Sequence, residues 1–468
     1  MKKTDKQLKQ LFRKILFIAM VIAIFGIVVC ALVFWAPTEL NNYFLSSFVN
    51  SETVYIIIAL GVMVILSLVA LMFSSFKASS ELRKEAKKAR KANNEAARKE
   101  ERKRSRKKDE KRFAMLNKID KDFEKYKEPR DASVTLESLC YAFRGFAAGN
   151  LGLYYDISDI RRLIAGMSVT RLILLQGMSG TGKTSLAYAL GQFIQNESVV
   201  VPIQPMWKER SDMIGYFNEF TKKFNETTLL RKMYEAGYRK EAYITILDEV
   251  NISRIEYYFA EFLSLLELPD ENRRFLDVVS DVWETDPKKL KDGKVQLPPN
   301  MWFIGTANND DSTFAISDKV YDRAMVLTLD SKCVPFDAQA REGIKLPYSQ
   351  WCKLFDEARK KYALSRETEQ KIREYDKFLI EKFRLSFGNR ITKQLREYVP
   401  VMIACGGTEL GAVDDILSKK VLRKLEQQNP VHVRSVIEEL IELTETLFGE
   451  ELPLCHEYLC HMATNFRI

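Results

Sequence analysis

The chain has 468 residues, 46% of them hydrophobic and 29% charged. That length allows two or three domains with ample cores, and the composition excludes a disordered tail or a collagen-like repeat. Seven cysteines without regular spacing exclude a disulfide-stapled secreted module.

The formal net charge of +9 is uneven along the chain. Residues 1–14 carry +5, 15–76 carry −2, 77–112 carry +10 and 113–468 carry −4. The basic character belongs to the N-terminal quarter. The large, mildly acidic remainder does not read as a nucleic-acid surface.

Ile15–Ala36 is an uncharged run of 22 residues and Val54–Phe76 one of 23. As helices each spans roughly 30–35 Å, the thickness of a bilayer core. The first run is too long for a cleaved signal peptide and lacks a small-x-small site before Pro37. Six cations from Lys2 to Lys14 precede it, and Lys77, Arg83, Lys84, Lys87 and Lys88 follow the second run. The loop between holds Glu39 and Glu52 and no cation. The positive-inside rule therefore predicts a membrane hairpin with both termini and the C-terminal part in the cytoplasm, and the lipid bilayer as a partner. Residues 77–112 lack Gly and Pro, which suits a charged helix. They read as a solvated helix, or as a polybasic stretch gaining ~1 kcal/mol per cation near anionic headgroups. RNA binding has no aromatic residue there to support it.

The chemistry starts at Leu172–Leu175, a strand-like run followed by Gly177-Met178-Ser179-Gly180-Thr181-Gly182-Lys183-Thr184-Ser185 and a helical pattern. This fits G-x-x-x-x-G-K-[ST] in the strand–loop–helix order that phosphate binding needs. Glycines let backbone N–H groups turn onto the phosphates at a helix N-terminus. Lys183 would reach the β- and γ-phosphates, and Thr184 would bind Mg²⁺. Gly177, Ser179, Gly180, Thr181, Gly182, Lys183, Thr184 and Ser185 are thus the predicted nucleotide cradle. A second strand, Tyr243–Leu247, ends in Asp248-Glu249. Acids at the end of a buried strand sit where an α/β sheet presents ligand groups. Asp248 would hold Mg²⁺ and Glu249 would polarise the attacking water. A third strand, Met301–Thr306, leads to Asn308, and a fourth, Met325–Leu329, follows Asp318–Arg323.

This ensemble resembles the AAA+ ATPases, most closely the MoxR/McrB branch. The similar stretches are LDEVN at 247–251, LPPNMWFIGTANNDD at 297–311, DKVYDRA at 318–324 and IQPMWKERSDMIGYFN at 203–218. The resemblance covers about residues 140–420. It implies that Asn308 is the sensor-1 group facing the γ-phosphate or attacking water. It also implies that Arg323 is an arginine finger acting on a neighbouring subunit's nucleotide, and Arg390 a sensor-2 residue from the helical lid. Asn308, Arg323 and Arg390 join Glu249 as predicted catalytic residues, with Arg254 and Arg341 as competitors for the finger. The implied cofactors are ATP, or GTP as in McrB, and Mg²⁺. Tyr155 and Ile157 are base-contacting candidates by position only.

The remaining signals are weaker. Phe275–Gln296 reads as a β-hairpin with Lys291-Asp292-Gly293 in its turn, on the face that the resemblance directs toward a pore. Cys455-His456 and Cys460-His461 invite a zinc site, but one short helix spreads four ligands over too wide an arc. Residues 351–362, 366–384, 390–404, 413–427 and 432–447 read as amphipathic helices of a lid closing over the nucleotide.

The expected fold is thus α/β: a P-loop NTPase αβα core with a C-terminal helical lid, preceded by a transmembrane helical hairpin and a charged helical linker. The expected boundaries are a cytoplasmic tail at 1–14, the hairpin at 15–76, the linker at 77–130, the core at 131–332 and the lid with further helices at 333–468. The expected function is a membrane-anchored, ring-forming NTPase, hexameric in this family, that remodels or moves a protein client at the cytoplasmic face. One rival is a McrB-like motor that energises a DNA-cleaving partner, against which the acidic balance of 113–468 counts. Another is a non-hydrolysing nucleotide-dependent scaffold, against which Lys183, Asp248 and Glu249 count.

Overall fold

The computed structural model describes residues 111–465, apart from 124, 125, 131, 309–312, 331 and 332, and scattered earlier positions. It divides into units at 1–104 and 105–468. In the first unit Phe17, Met20, Val62 and Leu66 are helical and exposed. The two expected spans as wholes, and most of the basic helix, lie outside the described residues. Among the described residues, no helix is long and apolar enough to cross a membrane.

In chain order the second unit runs α1 (Met115–Asp122), α2 (Leu136–Leu151), α3 (Ile157–Val169), β1 (Leu172–Gly177), α4 (Lys183–Phe193), β2 (Val199–Pro202), α5 (Arg210–Ile214), β3 (Phe217–Asn218), β4 (Lys223–Phe224), α6 (Thr228–Ala236), β5 (Tyr243–Asp248), α7 (Ile255–Tyr258) and α8 (Ala260–Leu266). It continues with β6 (Phe275–Asp277), β7 (Lys294–Gln296), β8 (Met301–Asn308), α9 (Asp318–Tyr321), β9 (Met325–Thr328), α10 (Tyr348–Lys361), α11 (Arg366–Phe383), α12 (Gly388–Ala404), α13 (Glu409–Ile416), α14 (Pro430–Phe448) and α15 (Pro453–Asn465).

The five longer strands form one parallel sheet in the order β2-β5-β8-β1-β9. Their near-continuous apolar runs suit a sheet covered on both faces. Period-two alternation divides the inner strands between two cores. Ile173, Leu175, Ile244, Ile246, Trp302 and Ile304 enter one core with α2, α3 and the C-terminal helices. Leu172, Leu174, Tyr243, Leu247, Met301 and Phe303 enter the other, with α1, α6, α7 and α8. Helix α2 is set by a capping box between Thr135 and Ser138, and α3 by the Asp156 carboxylate accepting from Ser158 N.

Four sequence expectations change. The linker does not run to 130, because core packing begins earlier: Phe113 and Leu116 are fully buried. Arg112, 3% exposed, donates from Nε to Asp286 at 2.7 Å and lies 4.5 Å from the Trp283 ring. It also donates to the Asp281 carbonyl, and Phe113 stacks on Phe224. Hairpin β6–β7 exists, and Asp292-Gly293 turns it at positive φ, but residues 278–290 form an excursion with Trp283 buried rather than longer strands. The single helix expected at 413–427 is α13, then a π-helical turn at Leu417–Val421, then a 3-10 segment at Leu422–Gln427. Finally, the C-terminal helices are not a separate flap. They share the first core with α2 and α3, and Arg162 Nε donates to Asp415 at 2.8 Å while Tyr398 Oη donates to its other oxygen at 3.0 Å.

Candidate nucleotide site

Strand β1 ends where only glycine fits: a Cβ on Gly177 would lie 2.3 Å from the Leu329 carbonyl oxygen. Gly180 and Gly182 then hold φ of +81° and +88°, the left-handed region that glycine adopts freely. At Gly180 a side chain would meet open space, so the loop crest faces a void. Thr181 Oγ1 closes the loop on the Met178 carbonyl at 3.0 Å. Ser179 is exposed and Ser185 half-buried in the first turn of α4, whose free N–H groups and dipole favour an anion at that end. Lys183, 7% exposed, donates to the carbonyls of Gly177 at 3.1 Å and Met178 at 2.7 Å, so its ammonium lies across the loop. From the other side Tyr155 Oη donates to the Gly182 carbonyl at 3.0 Å, and burial pushes its hydroxyl pKa up. Tyr155 therefore braces the loop's backbone, and Ile157 is half-buried at the start of α3.

The sheet brings the acidic pair to this loop. Thr184 Oγ1 donates to Asp248 Oδ1 at 2.8 Å, and Thr306 Oγ1 donates to the same oxygen at 2.9 Å. Glu249 N donates back to Thr306 Oγ1 at 2.9 Å, so one buried threonine fixes both acids. Glu249 is exposed and held at φ +56°, a strained value for a non-glycine residue that tends to persist at functional positions. The Thr184 hydroxyl and the Asp248 carboxylate are hard oxygen donors in contact beside a phosphate loop, a set that fits Mg²⁺. Asn308 pairs with Gly177 in the β1–β8 register, so the last residue of β8 adjoins the first glycine. Its carbonyl accepts from Asn251 Nδ2 at 2.8 Å, and that amide also reaches Thr313 Oγ1 at 2.9 Å.

The two predicted arginines lie elsewhere. Arg323 precedes β9, its carbonyl accepts from Thr170 Oγ1 at 2.9 Å, and Met325 pairs with Ile173. That is four residues, or about 13 Å of strand, from Gly177. Arg323 Nη1 donates to the Lys319 carbonyl at 2.7 Å and Nη2 to Glu267 at 2.5 Å. Arg390 pairs with the other oxygen of the same carboxylate, and with Asp322 at 3.6 Å. The structure thus joins Arg323 to Arg390 through Glu267 at the edge opposite the phosphate loop. Arg390 is not drawn over the loop by a closing lid, because α12 is packed in the shared core. Of the competing arginines, Arg254 stacks on Phe314 and the Arg341 side chain covers Gly145.

Two contributors escaped the sequence reading. Thr306 left a signal, a hydroxyl in an otherwise apolar strand. Glu267 left none, being one acid among many. The Cys–His cluster of α15 does not converge: Cys455 is buried with its N–H on Asp414 at 2.8 Å, while His456 turns outward to Glu445 at 3.0 Å. Among the described residues, no group of three or more His, Cys, Asp or Glu could hold a metal.

Comparison with known proteins agrees with this geometry. Residues 172–324 match the family model of an AAA domain of the dynein-related subfamily, and residues 337–468 match a domain of unknown function (DUF8727). No curated protein matches. One similar solved structure is a full-length MCM homolog from Methanopyrus kandleri, 11% identical, covering 62% of this chain and 61% of that chain with a TM-score of 0.35. So low a score carries no weight for fold or function. The glycine loop on a parallel sheet and the acids at the end of β5 agree with the family match: residues 172–324 are similar to AAA domains of the dynein-related subfamily, with the loop in the form of a P-loop.

Proposed function

We propose that this chain is a nucleoside triphosphatase that turns over MgATP in a ring of identical subunits and uses the cycle to remodel or move a polypeptide client. The observation that carries the reading is the convergence of Lys183, Thr184 and Asp248 at one loop, with Glu249 one residue further on a strained backbone. Lys183 would supply positive charge to the phosphates, Thr184 and Asp248 would hold the metal, and Glu249 would accept a proton from the attacking water. Bound there, Mg²⁺ would supply charge neutralisation at the phosphates. Arg323, which the resemblance makes an arginine finger, lies far from its own loop, and we take its partner to be the nucleotide of an adjacent subunit; Arg390 shares Glu267 with it. Phe220 supports a polypeptide client: it is 99% exposed at the tip of hairpin β3–β4, where Asn218 accepts from the N–H groups of Phe220 and Thr221. The expected hairpin at 15–76 would hold the motor at the cytoplasmic face of a membrane.

The test is phosphate release and nucleotide binding by full-length protein. Lys183→Ala abolishes both. Glu249→Gln keeps binding and loses turnover by at least about a hundredfold. Turnover in Glu249→Gln equal to wild type overturns the reading.

A further inference from the structure

The segment that carries Arg323 leaves α9, a four-residue helix whose Val320 carbonyl accepts from the N–H groups of Arg323 and Ala324. The carbonyls that follow, of Tyr321, Asp322 and Ala324, are satisfied from the C-terminal domain. Lys420 Nζ donates to the Tyr321 carbonyl at 3.1 Å and to the Ala324 carbonyl at 2.5 Å, one on each side of Asp322–Arg323. Gln394 Nε2 donates to the Asp322 carbonyl between them at 3.0 Å, and Lys424 Nζ pairs with the Asp322 carboxylate at 3.1 Å. Arg423 lies 3.7 Å from the Tyr321 ring centroid and pairs with Asp318. Lys420 is 2% exposed, an unusual place for an ammonium. It projects from the π-helical turn at Leu417–Val421, and such turns recur at functional sites.

We propose that Lys420 is a positioning residue for Arg323: by clamping the carbonyls on either side of it, the C-terminal domain sets where that arginine meets the neighbouring subunit's nucleotide. The proposal rests on the trans role given to Arg323 above. It assigns the domain at 337–468 a task in turnover, and it accounts for a buried cation that neither nucleotide binding nor the apolar core requires.

The test compares Lys420→Met with wild type, in the full chain, alone and combined with Arg323→Ala. Methionine keeps the length and apolar body of the side chain. Nucleotide Kd and KM should stay within about twofold while kcat falls by about ten- to a hundredfold, as expected of a displaced reacting group. In the Arg323→Ala background, measured by single-turnover phosphate release, Lys420→Met should add nothing, because the group it positions is gone. An equal loss in both backgrounds overturns the proposal, and so does parallel damage to Kd and kcat. Wild-type turnover by Arg323→Ala alone instead defeats the trans reading itself, and the proposal falls with it. If Lys420→Met does not fold, Lys424→Ala on the partly exposed rim of the clamp takes its place. It should lower kcat by about threefold and show the same dependence on Arg323.

Discussion

The two ends of the sheet are built by opposite means. At the phosphate-loop end, backbone geometry and strand register do the placing: three glycines, the start of α4 and the pairing of β8 with both β1 and β5 bring Lys183, Thr184, Asp248 and Asn308 together. At the other end the polar groups come from four distant stretches. Glu267, Arg323, Arg390 and Lys420 meet only because the C-terminal helices share a core with α3 and the sheet. On the proposed function, the first end is a binding device that one subunit completes, and the second would present Arg323 to another subunit. Each end can therefore fail without the other.

The largest expected effect separates them outright. Arg323→Ala should bind nucleotide like wild type and lose about three orders of magnitude in turnover, the scale of an arginine finger. The full chain with labelled nucleotide gives both numbers. A matching loss of affinity would place Arg323 at its own loop and erase the contrast.

A tenfold effect is expected inside the first end. Thr306→Val removes the hydroxyl that donates to Asp248 and accepts from Glu249, with little change in volume. Turnover should fall by about tenfold with Mg²⁺ dependence shifted to higher concentration, because both acids lose a fixed orientation. Unchanged Mg²⁺ dependence would show that the acids are held by the strand alone.

A smaller effect tests the second end. Glu267 holds both arginines on a partly exposed surface, where such pairs are worth about 0–1 kcal/mol. If it competes with a neighbour's phosphates, Glu267→Gln should lower the protein concentration for half-maximal turnover by about threefold. A rise instead would make Glu267 part of the subunit contact rather than a competitor.

A further effect is read in stability rather than turnover. Burial pushes the Lys420 ammonium down to about 7, with Asp322 opposing and Arg390, Lys424 and Arg423 adding to it. Its folded-state value is thus below the unfolded one near 10.5, so between these pH values the unfolded chain holds the extra proton. Stability should rise with pH across that window, by at most about 1.4 kcal/mol per unit, and flatten below about pH 7. Lys420→Met should lose this slope in melting scans at pH 7, 8 and 9. An identical slope in both proteins would assign it to another group.

What the sequence revealed follows the same division. The loop, the acid pair and the core strands were legible because each is a contiguous signature whose geometry is local. Tyr155 could be listed only by position, since its hydroxyl reaches Gly182 across 27 residues of chain. Glu267 and Lys420 were silent, because their meaning lies in which segments pack together, and no periodicity encodes that. The helix expected at 413–427 shows the mechanism of error. Its apolar pattern is continuous, but the helix gives way to a π turn at Leu417–Val421, and from that turn Lys420 reaches the Ala324 carbonyl.

One consequence concerns load. Near the start of the second unit, the Arg112 guanidinium is locked to Asp286 and its carbonyl accepts from Phe224 N at 2.9 Å. Tension applied through the preceding residues would be borne first by that side chain and by hairpin β3–β4, not by the central sheet. The hairpin that carries Phe220 is thus the first element such a pull would deflect, so a tug from the N-terminal side and, on the proposed function, a push by a client would share one lever.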